Sequence, residues 1–484
     1  MRTFIIAFII SLLASLFLTR LFRDWALRFN LVDEGGGRKI HKQPIPRVGG
    51  IAILVATLLP LLNLGLWDND ISEALWGDKE LILGLAQGLG VIAIVGIIDD
   101  IRGVPALFKL AGQIFAGLLA YQAGIHIDTL SIPFFHLVEL GWMSMPITIF
   151  WFILSINAVN LIDGMDGLAG SVVMLAGGTL FFMCLVEEQA VASLILLSML
   201  GAVLGFLRYN INPATIFLGD TGSMSLGFLL ATVSVHFSQK SSVVFSLVAS
   251  LMILGLPIFD LSMAIFRRFL SGKKIFSADQ YHVHHILLRK GFSQRQSVLV
   301  LIVFALGFEG LALLHIYSGD QLDAIVLLAL VIFLFVSVRL LGYDEIIFTQ
   351  RKNTVLATVQ DQTEKSLQLV LNFQKNARTA DQNSVVFDEL EKLSDALSWH
   401  SMIVEWNGEI VFSKGERGRD VHIDGLYSMR IPLTDGFIQV EWLEETSSMQ
   451  TFDEALVYLV ADTLCLLPTQ EKKTREKRQS KSPV

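Results

Sequence analysis

Long apolar segments, separated by shorter polar ones, fill the first 340 residues of the chain. A helix needs about twenty apolar residues to cross a bilayer. Eleven segments come near that length, at about residues 3–22, 48–66, 80–98, 106–124, 145–160, 168–186, 191–207, 221–237, 243–265, 297–317 and 322–341. The first lacks a small-residue cleavage site and predicts a span rather than a signal peptide. This pattern predicts an all-α polytopic membrane protein with about eleven transmembrane helices.

The pattern changes after about residue 345. Residues 360–397 are rich in Gln, Lys, Glu and Leu and predict helix. Two pairs of alternating runs then predict hairpins, Ser401–Glu405 with Glu409–Ser413 around an Asn-Gly turn, and Leu426–Leu433 with Gly436–Leu443. A helix is expected near 452–467. We therefore predict a membrane domain (1–345), a small cytoplasmic α+β domain of unknown role (346–470) and a basic disordered tail (471–484).

Composition agrees with a membrane protein. Of the 484 residues, 53% are hydrophobic and 17% are charged, with a mean hydropathy of +0.59. A soluble domain is nearer a quarter charged. The two cysteines, Cys184 and Cys465, indicate neither a disulfide framework nor a zinc site.

The loops between the apolar segments alternate in charge. Loops 23–47 and 266–296 are rich in Lys and Arg, whereas loops 125–144 and 318–321 contain none and loop 67–79 is mainly acidic. Because Lys and Arg accumulate in cytoplasmic loops, we place the odd-numbered loops and the C-terminus in the cytoplasm and the N-terminus outside. Four polar clusters fall on that cytoplasmic side.

The first cluster is Asp99-Asp100, at the inner end of the third apolar segment. Adjacent carboxylates in a low-dielectric site need a cation, or one of them keeps a proton. The pair suits a general base or an anchor for Mg²⁺. The alternative is an interfacial helix end paired with Arg102 and Lys109.

The second cluster repeats a polar residue every third position, at Asn157, Asn160, Asp163 and Asp166. That spacing favours one side of a helix or a 3₁₀-like turn. Two carboxamides and two carboxylates can coordinate a hard cation or contact a polar heterocycle. A capping network at a helix junction is the alternative.

The third cluster runs from Asn210 through Phe217 to Gly219-Asp220-Thr221-Gly222-Ser223. Asp220 is a candidate helix cap and equally a candidate metal or phosphate residue. Phe217 either stacks a base or packs in the core.

The fourth cluster is His282-Val283-His284-His285, in a loop rich in Lys and Arg. Three close histidines can bind a transition metal. With only Asp279 nearby to complete such a site, we favour an anion cradle for phosphates.

Together these clusters supply carboxylates for a hard cation and cations for phosphates. They indicate phosphoryl-type transfer involving a lipid. A transporter or flippase of a phosphorylated solute is the alternative, since intramembrane polar groups also serve transport. A third hypothesis makes the membrane part an anchor for the C-terminal domain.

The four clusters, in this order, resemble the polyprenyl-phosphate N-acetylhexosamine-1-phosphate transferases, the family of WecA, TagO and MraY, over about residues 1–340. The resemblance implies that an N-acetylhexosamine-1-phosphate, with GlcNAc-1-phosphate expected, passes from a UDP-sugar to undecaprenyl phosphate with release of UMP. It implies a Mg²⁺ cofactor, with Mn²⁺ as a substitute. The expected setting is the bacterial inner membrane, as the first membrane step of a cell-envelope glycan.

Carried over residue by residue, the resemblance makes Asp99 the group that handles the lipid phosphate, with Asp100 in support. It assigns the remaining roles as follows: Asn160 and Asp220 as Mg²⁺ ligands, Asp163, Asp166, Asn210 and Phe217 around the uridine, and Lys109, His282, His284 and His285 at the diphosphate or sugar. The His-x-His-His loop favours the WecA/TagO branch. His41 and Pro46–Gly50 resemble the first cytoplasmic loop of the family. Membrane lipids are expected partners and nucleic acid is not; a homodimer and a partner of the C-terminal domain stay open.

Overall fold

A computed structural model of the chain shows two compact units, residues 1–349 and 350–484. The structure describes residues 2–33, 44–65, 70–130, 138–240, 247–270, 282–317, 322–341, 343, 364–378, 383–397, 399, 401–414, 426–433, 436–443 and 450–465. His41, the loop residue Asp279 and the predicted tail 471–484 lie outside the described residues.

The first unit is almost entirely helical. Its helices are α1 (Arg2–Arg28), α2 (Gly49–Gly65), α3 (Asp70–Gly77), α4 (Lys79–Arg102), α5 (Ala106–Gln122), α6 (Ser144–Ile162), α7 (Leu168–Val186), α8 (Ala190–Asn210), α9 (Gly219–Lys240), α10 (Leu247–Ile253), α11 (Gly255–Leu270), α12 (Val283–Arg289), α13 (Gln294–Tyr317) and α14 (Asp323–Leu341). Two short antiparallel ladders join β1 (Val32–Asp33) to β2 (Ile45–Pro46), and β3 (Thr129–Leu130) to β4 (Val138–Glu139).

Within the described residues, seven helices are long and apolar enough to cross a membrane. They are α1, α4, the segment Gly141–Ile162 that includes α6, α7, α8, α13 and Ala324–Leu341 of α14. The chain is therefore a multi-pass membrane protein. The predicted number of about eleven spans stays a prediction. The other four predicted segments form the shorter helices α2 and α5, the more polar α9, and the pair α10 and α11, which divides one predicted span.

Small residues let the helices of this unit approach closely. On α8, a Cβ atom at Gly201 would lie 2.5 Å from the carbonyl oxygen of Phe8, and one at Gly205 would lie 2.7 Å from that of Leu12. The Ser15 hydroxyl of α1 donates to the carbonyl oxygen of Ala202 at 2.6 Å. Small-residue contacts of this kind drive helix association in lipid, where burial of apolar surface contributes little.

The second unit has its own buried apolar core, which includes Phe373, Leu390, Val404 and Val440. It contains residues 364–378 as helix α15, α16 (Asn383–Ala396), α17 (Gln450–Cys465) and strands β5 (Ser401–Trp406), β6 (Glu409–Lys414), β7 (Leu426–Leu433) and β8 (Gly436–Leu443). The antiparallel sheet has the order β6-β5-β8-β7. Both predicted hairpins are confirmed. Asn407 and Gly408 take positive φ, as the Asn-Gly signal requires.

Candidate active site

The predicted polar residues meet where α4, α6 and α8 end and where α2, α9 and α13 begin. Carboxylate oxygens of Asp99, Asp100 and Asp220 lie within 4.8 Å of one another, and no other group of acids, histidines or cysteines in the described part of the chain has a comparable metal-binding arrangement. This cluster is the centre of the candidate site.

Asp99 faces the positive charge of Lys109. Its Oδ2 accepts from the ammonium at 2.7 Å, and its Oδ1 accepts from the backbone N–H of Val104 at 2.8 Å. Gly103 ends α4 with a φ of +66°, a conformation that favours glycine. The turn lets α5 begin at once, so that Lys109, in its first turn, reaches back. The same ammonium donates to Asp220 Oδ2 at 2.5 Å.

Asp100 faces the other way and caps α9. Its Oδ1 accepts from the backbone N–H of Asp220 at 2.8 Å, and its Oδ2 accepts from the backbone N–H and the hydroxyl of Thr221 at 3.0 and 2.6 Å. The first backbone N–H groups of a helix have no partner within it. A carboxylate there also favours the positive end of the helix dipole. Asp100 therefore fixes the position of Asp220.

Glycines bring the backbone of α2 and α4 against the start of α9. A Cβ atom at Gly96 would lie 2.5 Å from the Cα atom of Thr221, and one at Gly50 would lie 2.1 Å from the backbone nitrogen of Gly222. The segment Pro46–Gly50 also pairs with residues 217–218 through backbone hydrogen bonds of 2.8 to 3.0 Å. The segment Pro46–Gly50 therefore has a structural role, because its backbone hydrogen bonds hold the turn before Asp220.

A methyl group at Gly96 is expected to weaken both folding and activity. In Gly96→Ala, α4 must separate from α9, which displaces Asp220 from Asp99 and Lys109. Because a displacement of 1 Å can cost about 100-fold in rate, turnover should fall by about 10- to 100-fold, with a lower melting temperature. Gly90→Ala on the same helix is the matched control, since no atom lies within 4 Å of its added Cβ. Equal behaviour of the two variants would contradict this account.

Asn160, on the last turn of α6, contacts Asp220. Its Nδ2 donates to Asp220 Oδ2 at 3.4 Å, and its Oδ1 accepts from the Ser223 hydroxyl at 2.7 Å. Asn157, one turn earlier, pairs instead with Gln113 of α5. The helix ends at Ile162, so Asp163 and Asp166 lie in the following turn rather than on the same helical side.

The turn after α6 carries a high density of negative charge. Burial raises the pKa of Asp163 well above its usual range, and the carboxylates of Asp220 and Asp100 raise it further. The positive charge of Arg47 lowers this pKa, but by less. A bound divalent cation would relieve this repulsion, because its charge dominates a site of this size.

Asp166 and Asn210 brace two loops against each other. Asp166 Oδ2 accepts from Asn212 Nδ2 at 2.9 Å and from the backbone N–H of Ala214 at 3.0 Å. Asn210 accepts from the backbone N–H of Gly167 at 3.0 Å and donates to the carbonyl oxygen of Ile216 at 2.9 Å. These bonds fix the loop that carries Phe217, which is half-buried.

The three histidines lie at the start of α12, and His284 packs against the turn after α6. The rings of His282 and His284 are nearly parallel, with centroids 6.0 Å apart, and those of His284 and His285 are 4.3 Å apart. A Cβ atom at Gly164 would lie 2.4 Å from His284 Nε2. Burial and the neighbouring His285 lower the pKa of His284 to about 3, so its ring is uncharged at neutral pH. In this uncharged form it can act on an anion as a hydrogen-bond donor.

Two acids outside the four clusters also have polar partners inside apolar helices. Asp260 of α11 bonds to His282, Val283 and Tyr343. Glu309 of α13 accepts from the Thr179 hydroxyl at 2.9 Å. Neither residue is among the candidates that the sequence motifs indicate. The available signal was a carboxylate within an apolar segment, which is costly unless it is paired or functional.

Comparison with known proteins identifies the family. The family model for glycosyl transferase family 4 matches residues 82–238. The chain is 34% identical over 339 residues to a probable undecaprenyl-phosphate N-acetylglucosaminyl 1-phosphate transferase of Bacillus subtilis. The aligned residues make up 70% of this chain and 92% of that protein. The chain belongs to glycosyl transferase family 4. The resemblance to the polyprenyl-phosphate N-acetylhexosamine-1-phosphate transferases, seen in its motifs, is confirmed.

Two further relatives are similar to more than half of the chain. A decaprenyl-phosphate N-acetylglucosaminephosphotransferase of Mycolicibacterium smegmatis is 33% identical, over 60% of this chain and 76% of that protein. A phospho-N-acetylmuramoyl-pentapeptide-transferase of Listeria monocytogenes is 30% identical, over 64% and 94%. Within this family 4 member, the matched segment 82–238 contains the carboxylate cluster, Lys109, Asn160 and the uridine candidates, but not the histidines.

Proposed function

We propose that the chain transfers an N-acetylhexosamine-1-phosphate, most simply GlcNAc-1-phosphate, from a UDP-sugar to undecaprenyl phosphate, with release of UMP. The observation that carries the proposal is the contact network of Asp99, Lys109, Asn160 and Asp220 at one end of the helix bundle. The family and the names of the three relatives support the same reaction class.

The donor atoms at the centre of the site fit Mg²⁺. Carboxylate and carboxamide oxygens are the ligands that hard cations prefer, and Asn160 and Asp220 lie in contact. In this proposal these two residues hold the ion, with Mn²⁺ as a substitute. When bound, the ion supplies charge neutralisation of the donor diphosphate. Lys109 adds a second positive charge to the same phosphates.

Asp99 acts on the acceptor in this proposal. Its carboxylate is bound to Lys109 and partly open to solvent, which suits a group that orients the lipid phosphate or takes its proton before attack on the diphosphate. Asp100, with both oxygens bonded to the start of α9, acts as a positioning residue. UMP leaves in line as the new phosphate bond forms.

For the nucleotide, we propose that Phe217 stacks the uracil and that Asp163 contacts the uridine. Asp166 and Asn210 act through the loop, because their side chains are bonded to neighbouring loop residues. His282, His284 and His285 face the diphosphate or the sugar.

The distribution of charge supports a cytoplasmic site in the inner membrane. The end of the bundle that carries the site also carries Arg23, Arg28, Arg47, Arg102, Arg208, Arg267, Arg268, Arg289, Lys290 and Arg295. The opposite end is mostly acidic, with Glu73, Asp78, Glu80, Asp128, Glu139, Glu187 and Glu188. Excess Lys and Arg mark the cytoplasmic face.

A radiolabel transfer assay tests the proposed function. Purified full-length protein in detergent micelles, with undecaprenyl phosphate and a panel of labelled UDP-amino sugars, should give a Mg²⁺-dependent, lipid-extractable product and an equal amount of UMP. Chelation should stop product formation, and added Mg²⁺ should restore it. Solute flux across liposomes without any covalent product would instead support a transporter, and would overturn the proposal.

A further inference from the structure

Asp260 is a fully buried carboxylate that the proposed mechanism does not use. It lies in α11, next to Phe259 and among apolar residues, with no exposed surface. An isolated charge at such a place would be costly, so a buried carboxylate requires partners. Within the described part of the chain, its carboxylate pairs with His282 and Val283 of the histidine segment (residues 282–285) and with Tyr343, just after α14.

The carboxylate of Asp260 binds both the side chain and the backbone at the start of the histidine segment. Asp260 Oδ2 lies 3.3 Å from His282 Nδ1. Asp260 Oδ1 accepts from the backbone N–H of Val283 at 3.0 Å. One carboxylate therefore fixes the imidazole and the peptide next to it, which restrains both the position and the rotation of the ring.

Tyr343 holds the carboxylate from the other side. Its hydroxyl donates to Asp260 Oδ1 at 2.5 Å. Its buried ring packs edge-on against Phe259, with centroids 5.5 Å apart, and lies under the Arg267 guanidinium, 5.2 Å from the ring centroid. Burial and the adjacent Asp260 carboxylate raise the pKa of the Tyr343 hydroxyl well above its usual range, so the hydroxyl keeps its proton and donates it.

We propose that Asp260 and Tyr343 are positioning residues that hold His282 in one orientation and one tautomer toward the diphosphate or sugar of the donor. This inference rests on the proposed function, because it takes His282 as a substrate contact. Tyr343 follows the end of α14, so the chain just beyond this helix helps to order the histidine segment at the start of α12.

The chemistry of the contact defines the tautomer. A carboxylate only accepts hydrogen bonds, so the hydrogen lies on His282 Nδ1 and Nε2 is the nitrogen left for substrate. An asparagine at position 260 has the same shape, but its amide donates to Nδ1 and moves the ring hydrogen to Nε2. A change of tautomer with preserved geometry can cost orders of magnitude in kcat.

Asp260→Asn and Tyr343→Phe test the inference, in wild-type and His282→Gln backgrounds. In the wild-type background we expect kcat to fall by about 100-fold for Asp260→Asn and by about 10-fold for Tyr343→Phe, with little change in KM for the UDP-sugar. In the His282→Gln background each of the two substitutions should reduce kcat much less, because the effects of substitutions at coupled residues are not additive. Ser337→Ala is the control, since it also removes a buried hydroxyl bond from this region, to the carbonyl oxygen of Phe333.

Several outcomes would overturn the inference. Wild-type kcat in both variants would do so, as would equal losses in the wild-type and His282→Gln backgrounds, which would indicate a general effect on folding. If Asp260→Asn does not fold, Tyr343→Phe decides alone, since it keeps the carboxylate and its bond to Val283. Failure of the proposed function looks different, because the wild-type protein itself would then form no product.

Discussion

Replacing Asp220 by asparagine is expected to reduce sugar-phosphate transfer by about 100- to 1000-fold, the scale lost when one key electrostatic contact is removed. Asp220 lies in the first turn of α9, where its Oδ2 binds Lys109 and contacts Asn160. The amide keeps the size of the side chain but removes its charge. The site loses the proposed ligand for the cation and the carboxylate that binds Lys109.

The loss should be chemical rather than structural. The backbone N–H of residue 220 still donates to Asp100, so α9 should begin at the same place and the melting temperature should be close to that of the wild type. Initial rates of UMP release across a Mg²⁺ titration measure the effect, and high Mg²⁺ should not restore the rate.

Asp128→Asn is the matched control for this prediction. Asp128 also pairs with the side chain of a basic residue, His126, but it is 60% exposed and lies at the opposite end of the bundle. Its loss should leave transfer unchanged. Near-normal turnover in Asp220→Asn would show that the cation is held elsewhere, and would contradict the assignment of the site.

The chemical inventory of the site could be predicted from the sequence, because it depends on residue types that are costly in an apolar chain. Asp99, Asn160 and Asp220 stand out against apolar segments, and the structure brings them together with Lys109. Their separate roles could not be predicted in the same way. The two carboxylates of the Asp99-Asp100 pair are adjacent in sequence, but the partners of Asp100 are 120 and 121 residues away.

The helices show a similar division. Apolar length predicts α1, α4, α7 and α8 well, because the bilayer imposes that length. It cannot show that the predicted span 243–265 contains two helices, Leu247–Ile253 and Gly255–Leu270. Asp260 was hidden within that same segment, since a single acid among apolar residues gives no indication of its partners. Only the tertiary fold places it beside His282 and Tyr343.

Asp99→Asn and Asp100→Asn are expected to have different effects, because Asp99 is proposed to act on substrate and Asp100 to position α9. Asp99→Asn should keep the fold, because an asparagine can still accept from the backbone N–H of Val104. It removes the charge that faces Lys109 and that, in the proposed mechanism, acts on the acceptor phosphate. Transfer should fall by about 100- to 10,000-fold, the range of a lost acid–base group, without a change in melting temperature.

Asp100→Asn should instead destabilise the protein. An amide nitrogen would replace one of two oxygens that accept from the backbone N–H groups of Asp220 and Thr221 and from the Thr221 hydroxyl, so at least one buried donor loses its partner. That costs about 1–3 kcal/mol. The melting temperature should fall, and activity should fall with it as the start of α9 loosens around Asp220.

Thermal melts followed by tryptophan fluorescence, with transfer rates measured well below both transitions, separate the two variants. Equal melting temperatures for both would mean that Asp100 does not anchor α9. Normal turnover in Asp99→Asn would remove the acceptor-binding role from Asp99. If both predictions hold, Asp100 stabilises the structure of the site and Asp99 takes part in the reaction. The two roles differ because the end of α4 directs two adjacent side chains to different partners.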